Sequence, residues 1–231
     1  MTTKLIVFDC DGTLIDSQHM IVAAMNHAFE AHGLEPMPRE DVLSIVGLSL
    51  DEALAALLPA AEPRLRKTVT EGYKDAFHHL RSRPDLAEPL FPGAMEAIEH
   101  LAARDDVLLG IATGKSQKGL RLALEQHDLE RFFVTLQTAD DAPSKPHPMM
   151  LERAMAEAGA APRDTVLVGD TSYDIHMARA AGTHAFGVDW GYHDTDVLAQ
   201  AGASVILSDF AEIHPALQTI WAESSFGRAV K

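Results

Sequence analysis

The stretch Leu5-Ile6-Val7-Phe8-Asp9-Cys10-Asp11-Gly12-Thr13 sets four apolar residues directly against two carboxylates and a glycine. A short apolar run of β-branched and aromatic side chains that stops at a polar turn reads as a strand buried on both faces and ending in a loop. Similar runs recur at 107–112, 165–168, 185–188 and 204–207, and helix-like stretches lie between them at 94–104, 117–127, 148–158 and 173–180. Strands alternating with helices imply right-handed βαβ units. The expected fold is therefore α/β, with a doubly wound parallel sheet and a Rossmann-like core.

The alternation breaks after Ser17. From there to Pro84 only helix patterns appear, at 18–32, 39–46, 50–58 and 62–81, punctuated by Gly33, Pro36, Pro38, Gly47, Pro59 and Pro84. The core pattern resumes at Phe91-Pro92-Gly93. The expected organisation is an α/β core made of residues 1–16 and 85–231, with an inserted all-helical cap at 17–84.

Composition narrows the function. Of 231 residues, 34 are acidic and 19 basic, a formal charge of −15. Affinity for nucleic-acid backbones rests on Lys and Arg that neutralise phosphates, so a nucleic-acid partner is disfavoured, as is a polybasic membrane tether. The longest N-terminal apolar run, Leu5 to Phe8, is far short of the roughly 20 residues of a membrane span. One cysteine, Cys10, excludes an intramolecular disulfide and fits a reducing, cytoplasmic setting.

In open parallel sheets ligands sit beyond the carboxyl ends of the strands, where the strand order reverses. Four loops that would lie there carry unusual polar clusters: Asp9-Cys10-Asp11-Gly12-Thr13, Thr113-Gly114-Lys115, Ser144-Lys145-Pro146 and Gly169-Asp170-Thr171-Ser172-Tyr173-Asp174. Brought together, they set Asp9, Asp11, Asp170 and Asp174 against a single Lys145. Four neighbouring carboxylates cannot all stay ionised without a cation among them, and a hard divalent ion, Mg²⁺ in preference to an enclosed Ca²⁺, answers that need. With Mg²⁺ present, Lys145, the Thr113 hydroxyl and the amides near Gly12 and Gly114 suit phosphoryl transfer. That reaction is catalysed mainly by positioning and electrostatics. One carboxylate can attack phosphorus, and its neighbour, held protonated, can donate to the leaving oxygen.

These four clusters, in this order around a helical insertion, resemble the haloacid dehalogenase-like hydrolases, in the phosphoglycolate-phosphatase-like branch with a helical cap. The resemblance implies that Asp9 is the nucleophile and Asp11 the general acid and base. It implies that Thr113 and Lys145 hold the phosphoryl group, and that Asp9, the Asp11 carbonyl and Asp170 bind Mg²⁺. Asp174 would be a further ligand or a support behind the ligands. The family's dehalogenases carry a residue other than aspartate where Asp11 stands, its phosphonoacetaldehyde hydrolases need a cap lysine, and its β-phosphoglucomutases resemble Gly-x-Ser-Arg in the same stretch. Here that stretch is Val46-Gly47-Leu48-Ser49-Leu50. Specificity is expected from Gly47, Leu48, Ser49 and Leu50, with Arg39 as a candidate for a second anionic group and His147 as the one histidine near the motifs. A phosphomutase using the same aspartyl-phosphate, or a non-catalytic binder of the same fold, are the alternative functions.

Two lookalikes fail. Gly110-Ile111-Ala112-Thr113-Gly114-Lys115-Ser116 has three residues between its glycines where a phosphate-binding P-loop has four. Cys10 lacks the arginine that a thiol phosphatase places six residues on, because position 16 is Asp, and it reads as a packing residue. The expectation is a Mg²⁺-dependent phosphatase, monomer or homodimer, acting on a small phosphorylated metabolite.

Overall fold

In the computed structural model, which describes residues 2–226, six strands form one parallel sheet. They are β1 (Lys4–Phe8), β2 (Val107–Thr113), β3 (Phe133–Thr138), β4 (Thr165–Gly169), β5 (His184–Val188) and β6 (Val205–Leu207), in the order β3-β2-β1-β4-β5-β6. This is a doubly wound α/β sheet whose order reverses between β1 and β4. Met1 and residues 227–231, which the expected division assigns to the core, lie outside the described residues.

The opening stretch explains the layering. Leu5, Ile6, Val7 and Phe8 are all fully buried, because successive side chains of a strand point to opposite faces and both faces are covered. Ile6 and Phe8 pack with α5 (Ala94–Ala102), α6 (Gln117–Gln126) and α10 (Ile213–Phe226). Leu5 and Val7 pack with α7 (Met149–Ala158), α8 (Ser172–Ala180) and α9 (Thr195–Ala201).

β3, α9 and α10 fall on stretches that the sequence reading leaves without an element. β3 is an edge strand with polar residues facing inward: Thr135 and Gln137 are buried, and Gln137 Nε2 donates to Thr135 Oγ1 at 2.8 Å. Hydrogen-bonded to each other, they satisfy burial without an apolar run.

Between β1 and a short turn at 84–86 the chain forms four helices: α1 (Gln18–Ala31), α2 (Arg39–Ser44), α3 (Leu50–Leu57) and α4 (Pro63–Leu80). They share their own apolar cluster, centred on Ile21, Met25, Phe29, Leu54 and Val69. Pro63 opens α4 at the position where a missing N–H costs nothing. The two crossings to the sheet run side by side. Ile15 bridges antiparallel to Leu90, Asp16 N donates to Pro89 O at 2.8 Å, and Phe91 N donates to Leu14 O at 2.9 Å. Among the described residues, no helix is long and apolar enough to cross a membrane.

Candidate active site

The crevice where the sheet order reverses collects the sequence motifs. Asp9 follows β1, Asp170 follows β4, Thr113 closes β2, Lys145 lies in the loop after β3, and Asp174 sits in the first turn of α8. All five are at most 1% exposed, so none is a solvated loop residue. Asp9 N donates to Val168 O at 2.9 Å, which prolongs the β1–β4 pairing into the site. Gly12 has φ +78°, and a Cβ there would meet Asp170 Oδ2 at 2.2 Å; both the turn and the close approach require glycine.

Lys145 Nζ lies 2.8 Å from Asp9 Oδ2 and 2.6 Å from Asp174 Oδ1. Asp9 Oδ1 accepts from Cys10 N at 2.6 Å, while its Oδ2 faces the ammonium without a well-aligned hydrogen bond. Asp170 accepts from Thr13 Oγ1 at 2.8 Å and from Tyr192 N at 3.0 Å. Asp174 Oδ2 accepts from Thr171 Oγ1 at 2.7 Å and Thr171 N at 3.1 Å, completing a capping box that starts α8. One carboxylate thus anchors both the helix start and Lys145.

Asp9, Asp170 and Asp174 each offer an oxygen within 4.8 Å of the others, and all three are buried. Burial, opposed by Lys145 and reinforced by Asp174 and Asp11, pushes the Asp9 carboxyl from an ordinary 3.8 up to about 7. Burial first, then Asp9 and Asp174, hold Asp170 well above the carboxylate range. For Lys145, burial works against the charge, but Asp174 and Asp9 outweigh it and strengthen the ammonium. An all-oxygen, anion-rich set in which protons are held against their usual tendency suits a hard divalent cation such as Mg²⁺.

The Asp11 carboxylate lies outside that group. Its Oδ1 accepts from Ser17 Oγ and pairs with Lys115 Nζ at 2.9 Å. Lys115 also lies 3.6 Å from Glu88 Oε1, and its ammonium stands 5.2 Å from the Phe77 ring centroid. The expectation of a single lysine is therefore corrected: two lysines face five carboxylates, which leaves the formal sum at −3. Cys10, between the aspartates, is fully buried, and burial followed by Asp11 pushes its thiol well above the ordinary range.

Asp9 and Asp11 line a cavity of about 490 Å³ between the sheet's carboxyl edge and the four helices. Gly47, Leu48, Ser49 and Leu50 line it, as do Thr113 and Gly114. A Cβ at Gly114 would meet Leu48 O at 2.3 Å and Gly47 O at 2.8 Å, so glycine there lets the two loops touch. Ser49 N donates to Ser144 Oγ at 2.8 Å, and Tyr173 OH donates to Ser44 O at 3.2 Å, docking helices on sheet. Arg39 and His147 are not among the lining residues. Arg39 is exposed and donates to Gln18 Oε1, and exposed His147 accepts from Met149 N at 3.2 Å.

Residues 6–188 match the haloacid dehalogenase-like hydrolase family, a span that holds Asp9, Asp11, Thr113, Lys115, Lys145, Asp170 and Asp174. The chain belongs to the haloacid dehalogenase-like hydrolases. It is 34% identical to the "Probable phosphatase IndB" of Dickeya dadantii over 96% of each chain. To a phosphoglycolate phosphatase of Agrobacterium fabrum it is 29% identical, over 93% of this chain and 92% of the relative. To the pyrophosphatase PpaX of Oceanobacillus iheyensis it is 30% identical, over 92% and 96%. A solved structure, described as a predicted phosphoglycolate phosphatase from Haemophilus somnus, superposes with TM-score 0.83 over 94% of this chain and 98% of that one, at 24% identity, and shares its fold.

In this haloacid dehalogenase-like hydrolase several site residues escape sequence reasoning. Lys115 is visible in the Thr113-Gly114-Lys115 cluster and in a failed P-loop, but with no role of its own, Glu88 lies on the crossing back to the core, and Tyr73 and Phe77 sit on α4. The loop after β5 also contributes: Tyr192 N holds Asp170, and a Cβ at Gly191 would lie 2.1 Å from Asp170 Cβ. Asp189-Trp190-Gly191-Tyr192 directly follows an apolar strand, the same signal that marks the loops after β1, β2 and β4.

Proposed function

We propose that the chain is a Mg²⁺-dependent phosphatase that hydrolyses a small phosphomonoester through an aspartyl-phosphate on Asp9, with residues 17–84 acting as a cap over a core of 1–16 and 85–231. The observation that carries this reading is the buried juxtaposition of Asp9 with Lys145, Asp170 and Asp174, of which Asp9 lines the cavity. Asp9, Asp170 and the Asp11 carbonyl would hold the cation, with Asp174 supporting Lys145. Bound there, Mg²⁺ supplies positive charge that draws the phosphoryl group toward Asp9 and offsets the site's negative sum.

Each chemical step then belongs to a named side chain. Asp11, paired with Lys115 in the free site, takes up a proton as substrate binds; an Asp9 oxygen then attacks phosphorus, the ester P–O bond breaks, and Asp11 gives that proton to the departing alkoxide. Water next attacks phosphorus, Asp11 takes its proton, and the Asp9–phosphorus bond breaks to release phosphate and restore the carboxylate. Lys145 and the Thr113 hydroxyl hold the phosphoryl oxygens throughout, and the docked cap keeps bulk water from the first step. The names of the relatives, phosphatases of phosphoglycolate and pyrophosphate among them, support the reaction class.

Purified protein with Mg²⁺ is expected to hydrolyse p-nitrophenyl phosphate, and Asp9→Asn to lose at least about a thousandfold in kcat, as loss of a catalytic nucleophile does. Undiminished activity in Asp9→Asn would overturn the mechanism.

A further inference from the structure

The cavity above Asp9 is far larger than a diphosphate or a phosphorylated two-carbon acid fills, since about 490 Å³ lies in the range that encloses drug-sized ligands. Much of its wall is apolar or aromatic: Ile21, Met25, Ile45, Leu50, Tyr73 and Phe77. Apart from the Tyr73 hydroxyl, none of these side chains offers a hydrogen-bond donor to a second phosphate or a carboxylate, and none carries a positive charge.

The charged lining offers no net platform for one either. At the mouth, Lys74, Arg81 and Lys118 are matched in number by Asp51, Asp75 and Asp140. Lys74 is engaged with Glu71 at 2.9 Å. Deeper in, Lys115 is shared by Asp11 and Glu88. A second anionic group deep in the cavity would have to displace one of those carboxylates from Lys115, or meet the acidic floor of Asp9 and Asp11. Unpaired charge brought into such a site is costly. A neutral body with a flat or apolar face would instead bury its surface against α1, α3 and α4.

Resting on the phosphatase reading above, we propose that the leaving group is a neutral alcohol carrying an aromatic or apolar ring, as in aryl-methyl or nucleoside phosphomonoesters, in preference to glycolate or a second phosphate. Tyr73 and Phe77, with ring centroids 5.8 Å apart on one face of α4, are the residues expected to meet that ring. Their contribution is to specificity; the phosphoryl group is handled below them.

The test compares kcat/KM, with Mg²⁺ present, for benzyl phosphate, ethyl phosphate, 2-phosphoglycolate and pyrophosphate, with acetyl phosphate as an activated control. Benzyl and ethyl phosphate carry the same charge on a primary alcohol and differ in the ring, so benzyl phosphate is expected to lead by at least about tenfold, the discrimination an added apolar group commonly gives. It is expected to lead phosphoglycolate and pyrophosphate by a similar factor or more. In Phe77→Ala the benzyl-to-acetyl ratio of kcat/KM is expected to fall several-fold. Phosphoglycolate or pyrophosphate as the best substrate, or equal rates for benzyl and ethyl phosphate, would overturn the inference while leaving the phosphatase reading intact. No turnover of any compound, acetyl phosphate included, would instead sink that reading and this one with it.

Discussion

Lys115 stands at the join of three parts: it leaves the loop after β2, pairs with Asp11 beyond β1, and reaches Glu88 on the chain's return from the helices. Burial alone would weaken its charge, yet Asp11 and Glu88 together raise its pKa above the usual lysine range. Removing one partner of a buried ion pair leaves the other charge uncompensated, typically at about 3–5 kcal/mol. Lys115→Met is therefore expected to cost about 3 kcal/mol in urea unfolding. Glu88, whose carboxyl burial already raises against the pull of Lys115, becomes the group that suffers. Glu88→Gln added to Lys115→Met should recover part of the loss, although Glu88→Gln alone does not stabilise the protein; strict additivity would dismiss the coupling. The placement of Asp9, Asp11, Thr113, Asp170 and Asp174 at the sheet's carboxyl edge was legible because each follows an apolar strand directly or at short spacing. The pairing of Lys115 with Glu88 was not, because two residues 27 positions apart, joined only by folding, leave no local pattern.

At the scale of elements, strands whose two faces are both covered announce themselves as apolar runs, and β1, β2, β4 and β5 were legible for that reason. β3 was not, since an edge strand satisfies burial by pairing Gln137 with Thr135. Without β3 the loop bearing Lys145 had no visible anchor. Between the helical segment and the core, the decisive contact is backbone to backbone: Gly114 packs against the carbonyls of Gly47 and Leu48. A methyl at 114 would sit 2.3 Å from Leu48 O, so one loop must retreat. Misplacing substrate-positioning groups by about 1 Å can cost about a hundredfold. Gly114→Ala should therefore lower kcat/KM by at least about tenfold. Its melting temperature should fall only slightly, because undocking of the 47–49 loop relieves the clash without unfolding the sheet. A variant with unchanged kcat/KM would show that the docked arrangement is not the one in which turnover occurs.

For the whole molecule, the net charge of −15 first served only to exclude polyanionic partners, but part of it is concentrated at one buried place. Asp9, faced by Lys145, Asp174, Asp170 and Asp11, titrates near 7 when folded and near 3.8 when unfolded. A carboxyl raised on folding binds its proton more tightly in the native state, so its contribution to stability is complete below about pH 4 and is lost as pH rises toward about 7. Every tenfold difference in proton affinity between the folded and unfolded chain is worth about 1.4 kcal/mol. Metal-free protein should therefore become less stable by a few kcal/mol between pH 5 and pH 7.5 from this group alone. On the proposed reading, Mg²⁺ would bind the native arrangement and not the unfolded chain. At a hundredfold excess over its dissociation constant it should return about 2.7 kcal/mol, or roughly 5–10 °C for a chain of this size. The gain should be largest at pH 7.5 and small at pH 5, where protons already occupy the site and compete with the metal. Asp170→Asn should abolish the Mg²⁺-dependent rise at both pH values. Thermal unfolding with Mg²⁺ and with EDTA checks all three outcomes, and a melting temperature insensitive to Mg²⁺ at pH 7.5 would remove the cation from this cluster.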